Sequence, residues 1–193
     1  MSTVFFDVDT QVDFLFPAGA LYVPGAEGLL PNLARLNQYA AAKEFSVVST
    51  MDAHAENDPE FRQWPAHCVA GTFGKQKAQA TLLDRRVVVP SHKTDFDLSG
   101  ARQIILEKQS TDCFTNANIH EVLARLDAKH CVLYGVVTEV CVRHAALGLL
   151  ASGRKVELVT DAVRHLDEGA ASRFLAEFES SGGVLTTTAQ VCR

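Results

Sequence analysis

The stretch from Cys131 to Val142, C-V-L-Y-G-V-V-T-E-V-C-V, sets a thiol where a thiol becomes a nucleophile. Its apolar run reads as a buried strand. Gly135 breaks that strand, and Thr138-Glu139 reads as the start of a helix whose first turn carries Cys141. The first amides of a helix lack internal partners and carry partial positive charge, so they favour a thiolate and depress its pKa below ~8.5. Read alone, Cys141 is equally a small core residue, because free cysteine is among the most buried residue types.

Other apolar runs end in polar residues suited to the same chemistry. The first leads to Asp9, followed by Thr10, Gln11 and Asp13. The second ends in Asp52-Ala53-His54, and a third ends in Lys108. If these runs are parallel strands, their ends meet on one rim of the sheet, where open α/β folds bind ligands. A carboxylate, an ammonium and a thiol at one rim suit nucleophilic acyl transfer. The carboxylate takes the thiol proton and later hands it to a leaving amine. The lysine tunes that carboxylate or stabilises developing negative charge.

The elements that must position these groups follow from the hydrophobic pattern. Strands are expected at Thr3 to Val8, Phe45 to Met51, Gln103 to Glu107, Cys131 to Val136, Lys155 to Thr160 and Val184 to Thr187. Helices are expected at Gly28 to Lys43, near Asn116 to Leu126, from the Cys141 turn to Ala151, and near Glu168 to Ser180. Residues 52 to 100 read as irregular, with one short apolar run at Val87 to Val89. The strands are near-continuous apolar runs, which predicts a sheet covered on both faces. The expected architecture is α/β, a doubly wound, mainly parallel sheet of about six strands in one domain spanning residues 1–193. A long excursion such as 52 to 100 in a compact α/β unit tends to be functional.

Composition narrows the classes. At 193 residues and 47% hydrophobic content, the chain can bury a full core. A formal net charge of -5 gives no basic footprint for nucleic acid or an anionic membrane. No apolar run approaches the ~20 residues of a membrane span. No basic region leads into an apolar one near the start, so no secretory signal is expected. The five cysteines, Cys68, Cys113, Cys131, Cys141 and Cys192, are odd in number and scattered. That fits reduced thiols in a cytoplasmic protein better than a disulfide frame or a structural zinc site.

With these blocks in order, the chain resembles the isochorismatase-like cysteine hydrolases and, within them, the nicotinamidases. The D-x-Q-x-D-F block is Asp9 to Phe14 and the D-x-H block is Asp52 to His54. Trp64-Pro65-Ala66-His67-Cys68-Val69 with Gly71-Thr72 matches W-P-x-H-C-V-x-G-T, and Lys108 and the Gly135 to Val142 turn complete the set. The resemblance implies a catalytic triad of Asp9, Lys108 and Cys141. It also implies a non-proline cis peptide at Val136-Val137 and an oxyanion hole from the amides of Val137 and Cys141. A divalent metal, with zinc first and iron or manganese as alternatives, would be held by Asp52, His54 and His67. Glu60 would be a further ligand, where some relatives carry histidine. Phe14 and Trp64 would wall a flat ring. The implied reaction is hydrolysis of nicotinamide to nicotinate and ammonia through a thioester, and relatives are commonly homo-oligomers.

The chain departs from the family in places. Thr138-Glu139 stands where Thr-Asp is usual, and the segment after Lys108 differs, which leaves the amide less defined than amide hydrolysis itself. Apart from Glu60, the acidic stretch from Glu56 reads as a solvated loop. Three other readings compete: a hydrolase of carbamoyl or ureido compounds, an aspartyl-phosphate phosphatase using Asp7 and Asp9, and a non-catalytic binding domain. The phosphatase pattern fails at Gln11, and a binding domain has no need to keep Asp9, Lys108 and Cys141 together.

Overall fold

The computed structural model describes residues 2–193. Its centre is a seven-stranded sheet in the order β3-β4-β2-β1-β5-β6-β7, with every neighbouring pair parallel. The strands are β1 (Ser2–Val8), β2 (Ser46–Asp52), β3 (Arg86–Val89), β4 (Gln103–Lys108), β5 (Ala128–Val136), β6 (Lys155–Arg164) and β7 (Val184–Thr186). The seventh strand beyond the expected six is β3, the short apolar run of the middle excursion. Being a four-residue, half-exposed edge strand, it shows no long apolar pattern.

Side chains alternate across the sheet, so each face collects its own core. Val4, Phe6 and Val8 of β1 pack with α3 (Ile119–Arg125), α4 (Arg143–Ala151) and α5 (Glu168–Ser180). Phe5 of the same strand packs on the other face with α1 (Val12–Leu15) and α2 (Leu30–Ala42). In α2 the buried residues Leu33, Leu36 and Ala40 recur at helical spacing, and a proline sits in its first turn. A short α6 (Thr188–Val191) ends the chain. Among the described residues no helix is long and apolar enough to cross a membrane.

The chain leaves β1 towards β2 on one side and later returns to β5 on the other. The crevice between the ends of β1 and β5 is therefore the topological switch point. Gly135 makes this junction possible. It has φ +123, and a Cβ there would stand 2.0 Å from the Val8 carbonyl oxygen. Helix α3 starts later than the expected Asn116, where the Asn116 side chain instead donates to the Pro90 and Glu107 carbonyls and accepts the Asn118 amide. The expected helix start at Cys141 is a π-type turn, Thr138–Val142, that runs on into α4.

Candidate active site

Strand ends deliver the expected groups to the switch point. Asp9 follows β1 directly and holds a left-handed backbone, φ 48, a conformation short polar residues tolerate. The Thr50 hydroxyl donates to Asp9 Oδ1 at 2.6 Å and fixes that rotamer. Lys108, the last residue of β4, lies with Nζ 2.8 Å from Asp9 Oδ2 and 3.7 Å from Cys141 Sγ. Lys108 also contacts Asp52 Oδ1. Asp9, Lys108 and Cys141 are all buried.

Burial sets the protonation states. It works against a charged Lys108, yet Asp52 and Asp9 outweigh it and hold the ammonium well above its usual range. Burial also raises Asp9, with Lys108 pulling it down and Asp52 pushing it up. The Cys141 thiol is driven well above its ordinary value by burial, with Lys108 opposing and the two carboxylates adding to the rise. This differs from the expectation of a thiolate favoured by helix amides: burial of the sulfur raises the thiol despite the lysine, and the two carboxylates add to that rise. The resting thiol keeps its proton, and Asp9 is the adjacent group able to accept it.

The turn that carries Cys141 has the expected form. The Val136-Val137 peptide is cis. The Val137 carbonyl accepts the amides of Val140 and Val142, both at 3.1 Å, so the turn closes around Val137 and carries Cys141 on its rim.

A second cluster adjoins the first through Asp52. Its Oδ2 lies 3.8 Å from His54 Nε2 and 3.6 Å from His67 Nε2, and Glu60 Oε2 lies 3.8 Å from His54 Nε2. Donor atoms of Asp52, His54 and His67 all fall within 4.8 Å of one another. These gaps are long for hydrogen bonds and suit groups that share an ion. His54 Nε2 and Glu60 Oε2 are buried with no hydrogen-bond partner, the orphaned atoms a cation would satisfy. Although burial opposes it, Lys108 and both imidazoles hold Asp52 far below the usual carboxylate range. Burial likewise opposes a charge on His54, but Asp52 and Asp58 raise its pKa, and burial with Asp52 raises Glu60. The rise at His54 reflects the negative charge of Asp52 and Asp58 beside it, a setting that a divalent cation fits.

The motif residues around the cluster act through backbone. Gln11 Oε1 accepts the Asp52 amide at 2.7 Å, and its Nε2 donates to the Asp52 carbonyl at 2.9 Å and the Lys75 carbonyl at 2.8 Å. Asp13 Oδ2 accepts the Cys68 amide at 2.7 Å and so fixes the residue next to His67. His67 Nδ1 lies 2.7 Å from the Pro65 carbonyl, an interaction that leaves Nε2 free as a ligand. Asp58, expected as a solvated loop residue, instead lies 3.1 Å from His54 Nδ1 and caps the short turn Pro59–Arg62. Local turn geometry folds it back under the histidine, which its acidic surroundings did not signal.

Both clusters open on one cleft, lined by Phe14, Leu21, Asp52, Glu60, Trp64, His67, Thr111, Val137, Val140, Cys141 and Leu166. The expected walls Phe14 and Trp64 are present, and Phe14 packs on the His67 ring with centroids 5.4 Å apart. Sequence reasoning missed Leu21, Thr111, Val140 and Leu166. Leu21, Thr111 and Leu166 sit on connecting segments with no periodicity, so nothing in their spacing marks them. Val140 lies in the Cys141 turn, directly before the thiol. Asp7, the nucleophile of the phosphatase alternative, is withdrawn from the rim. Its oxygens are taken in the interior by Thr10 at 2.8 Å, Ser49 at 3.0 Å and Lys77 at 3.2 Å. All five cysteines are free thiols, and Cys113 and Cys131 are packed in the core.

Comparison with known proteins agrees with this architecture. A family model described as the isochorismatase domain matches residues 3–190. The nicotinamidase of Escherichia coli is 27% identical, with 94% of this chain and 93% of that protein covered. The pyrazinamidase of Pyrococcus horikoshii, solved in complex with zinc, superposes with a TM-score of 0.81 at 28% identity, covering 97% of this chain and 99% of that one. N-carbamoylsarcosine amidase from Thermoplasma acidophilum shares the fold, with a TM-score of 0.79 at 23% identity and 97% of each chain covered. A domain match over nearly the whole length, on a sheet whose switch point gathers a buried acid, ammonium and thiol, establishes that this chain is a hydrolase of the isochorismatase family.

Proposed function

We propose that the chain is a metal-dependent cysteine amidase that hydrolyses nicotinamide to nicotinate and ammonia. The observation that carries this reading is the shared carboxylate: Asp52 touches Lys108 through one oxygen and faces two imidazoles through the other. Nucleophile and metal ligands thus border one apolar cleft, as an amide carried on a ligating ring requires. Asp9 takes the Cys141 proton as sulfur attacks the carboxamide carbon. The carbonyl oxygen becomes an anion held by the amides of Val137 and Cys141. Loss of one such donor typically costs ~3 kcal/mol in the transition state. The C–N bond then breaks, the nitrogen takes the proton back from Asp9, and ammonia leaves a thioester. Water adds to that thioester with Asp9 accepting its proton, the C–S bond breaks, and the proton returns to sulfur. Lys108 keeps Asp9 within reach of these transfers by balancing the two buried carboxylates.

Asp52, His54, His67 and Glu60 would hold a divalent ion, zinc first among candidates, and such an ion would supply a Lewis-acid anchor for a ring nitrogen or for a water beside it. Phe14 and Trp64 then flank the ring. The similarity to the nicotinamidase of Escherichia coli and to the zinc-bound pyrazinamidase supports this substrate. The fold shared with N-carbamoylsarcosine amidase favours one alternative, a carbamoyl or ureido amide. An ammonia-release screen over nicotinamide, pyrazinamide, ureido and carbamoyl compounds, with metal content measured on the same sample, separates the two. Turnover confined to metal-free protein and carbamoyl substrates would overturn the nicotinamide reading.

A further inference from the structure

Glu139 stands in the turn that carries Cys141, but its carboxylate serves another segment. Oε1 accepts the backbone amides of Leu166 at 2.8 Å and Asp167 at 2.7 Å. Its Oε2 is buried and has no hydrogen-bond partner, so the hold of this side chain rests on those two amides. They belong to the short connection between β6, which ends at Arg164, and α5, which begins at Glu168. Asp167 caps α5 by accepting the Ala170 amide at 2.6 Å. Arg143 pairs with Glu177 at 3.0 and 3.1 Å and fastens α4 to α5. The connection is therefore tied to α5 at one end and to the nucleophile turn at the other.

What this connection delivers to the cleft is Leu166. It lines the cleft beside Val140 and Cys141, yet 42% of its surface remains exposed. A large apolar side chain half in water at a cleft mouth gains stabilisation only when a guest covers it. A charge-assisted pair of hydrogen bonds to neighbouring amides holds that side chain in one place, which lowers the ordering cost on binding.

We propose that Glu139 is a positioning residue that sets Leu166 as an apolar lip over the outer face of the bound substrate ring. This rests on the amidase reading and deepens it, assigning a binding determinant that lies outside the acid, ammonium and thiol and outside the metal ligands. The two residues act as one device: Leu166 makes the contact, and Glu139 fixes where it is made.

The test is a KM and kcat comparison of Leu166→Ala, Glu139→Ala, Glu139→Gln and the Leu166→Ala/Glu139→Ala double variant with nicotinamide. Leu166→Ala should raise KM about fivefold with kcat changed less than about threefold, the signature of lost binding that is uniform along the reaction. Glu139→Ala should show the same split, and the double variant should be no worse than Leu166→Ala, because both remove one contact. Glu139→Gln keeps an acceptor oxygen and should restore a near-normal KM. Hydrogen exchange at the amides of Leu166 and Asp167 should speed up in Glu139→Ala and stay slow in Leu166→Ala. Additive effects, a fall in kcat at constant KM, or no rescue by glutamine would overturn the proposal. Should Glu139→Ala fail to fold, Leu166→Ala alone decides, and an unchanged KM sinks the lip. If wild-type protein releases no ammonia from nicotinamide, the substrate reading fails while amide exchange still reports on the clamp.

Discussion

At the residue scale, the site is governed by how many charges share one dry volume. Two carboxylates pair with the one ammonium that reaches a buried thiol, and the acid-base balance follows from those charges and their burial. Cys141→Ala should abolish ammonia release while leaving the thermal midpoint within a few degrees, and full turnover by this variant would remove the nucleophile. Asp9→Asn cannot accept a proton, so its kcat should fall by about 10²–10⁴. The pH profile carries a sign. Protonated Asp9 is inactive, and burial raises its pKa, so kcat/KM should decline on acidification at a pH above the ~4 of an ordinary aspartate. An acidic limb at or below that value would mean that Asp9 is not the base. These residues were legible in the sequence because the chemistry demands their types: a thiol, an ammonium and a carboxylate each at a strand end. The protonation of Cys141 was not legible. It depends first on burial of the sulfur and then on two carboxylates brought from distant strands, neither of which the helix amides near Cys141 reveal.

At the element scale, the motifs divide into groups that react and groups that hold backbone. Gln11 and Asp13 looked like rim polar residues, but their side chains grip the backbone beside Asp52 and His67. Gly74 shows how tight that arrangement is, since a Cβ there would stand 2.2 Å from the Asp13 carboxylate oxygens. Gln11→Leu would leave the buried Asp52 amide unpaired, at a cost of about 1–3 kcal/mol. It should also lower metal affinity by about 10–100-fold, as loss of a group that orients a ligand commonly does. Denaturant midpoint and metal content after dialysis measure the two effects, and unchanged metal content would reduce Gln11 to a purely structural role. The long strands and α5 were legible from apolar runs and helical spacing, since burial on both faces writes itself into composition. The short edge strand β3 was not, nor were Leu21, Thr111 and Leu166. A half-exposed residue on a connection obeys no period, and only the folded chain shows what it faces.

At the scale of the whole molecule, the excursion after β2 is where fold and site depend on each other. Residues 54 to 69 leave the sheet, yet both His54 and His67 return to face Asp52 at the end of β2. An isolated bridge pairs His54 with Val69, and another pairs Gln11 with Lys77. Few other regular elements hold this segment: only the short turns Pro59–Arg62 and Gln79–Thr81 interrupt it before β3. A cation held by Asp52, His54, His67 and Glu60, as proposed, would close the excursion onto the sheet and bind the native state alone. At free metal about a hundredfold above its dissociation constant, that linkage is worth about 3 kcal/mol. For a chain of this size each kcal/mol moves the thermal midpoint by about 2–4 °C, so chelation should lower it by roughly 6–12 °C. Adding zinc back should restore both the midpoint and ammonia release. Because the ligands meet across this segment, its amides should lose hydrogen-exchange protection on chelation before those of β1 and β5 do. If stripped protein melted at the same temperature with the segment equally protected, the excursion would be held by its own packing, and the cluster would have no part in closing it.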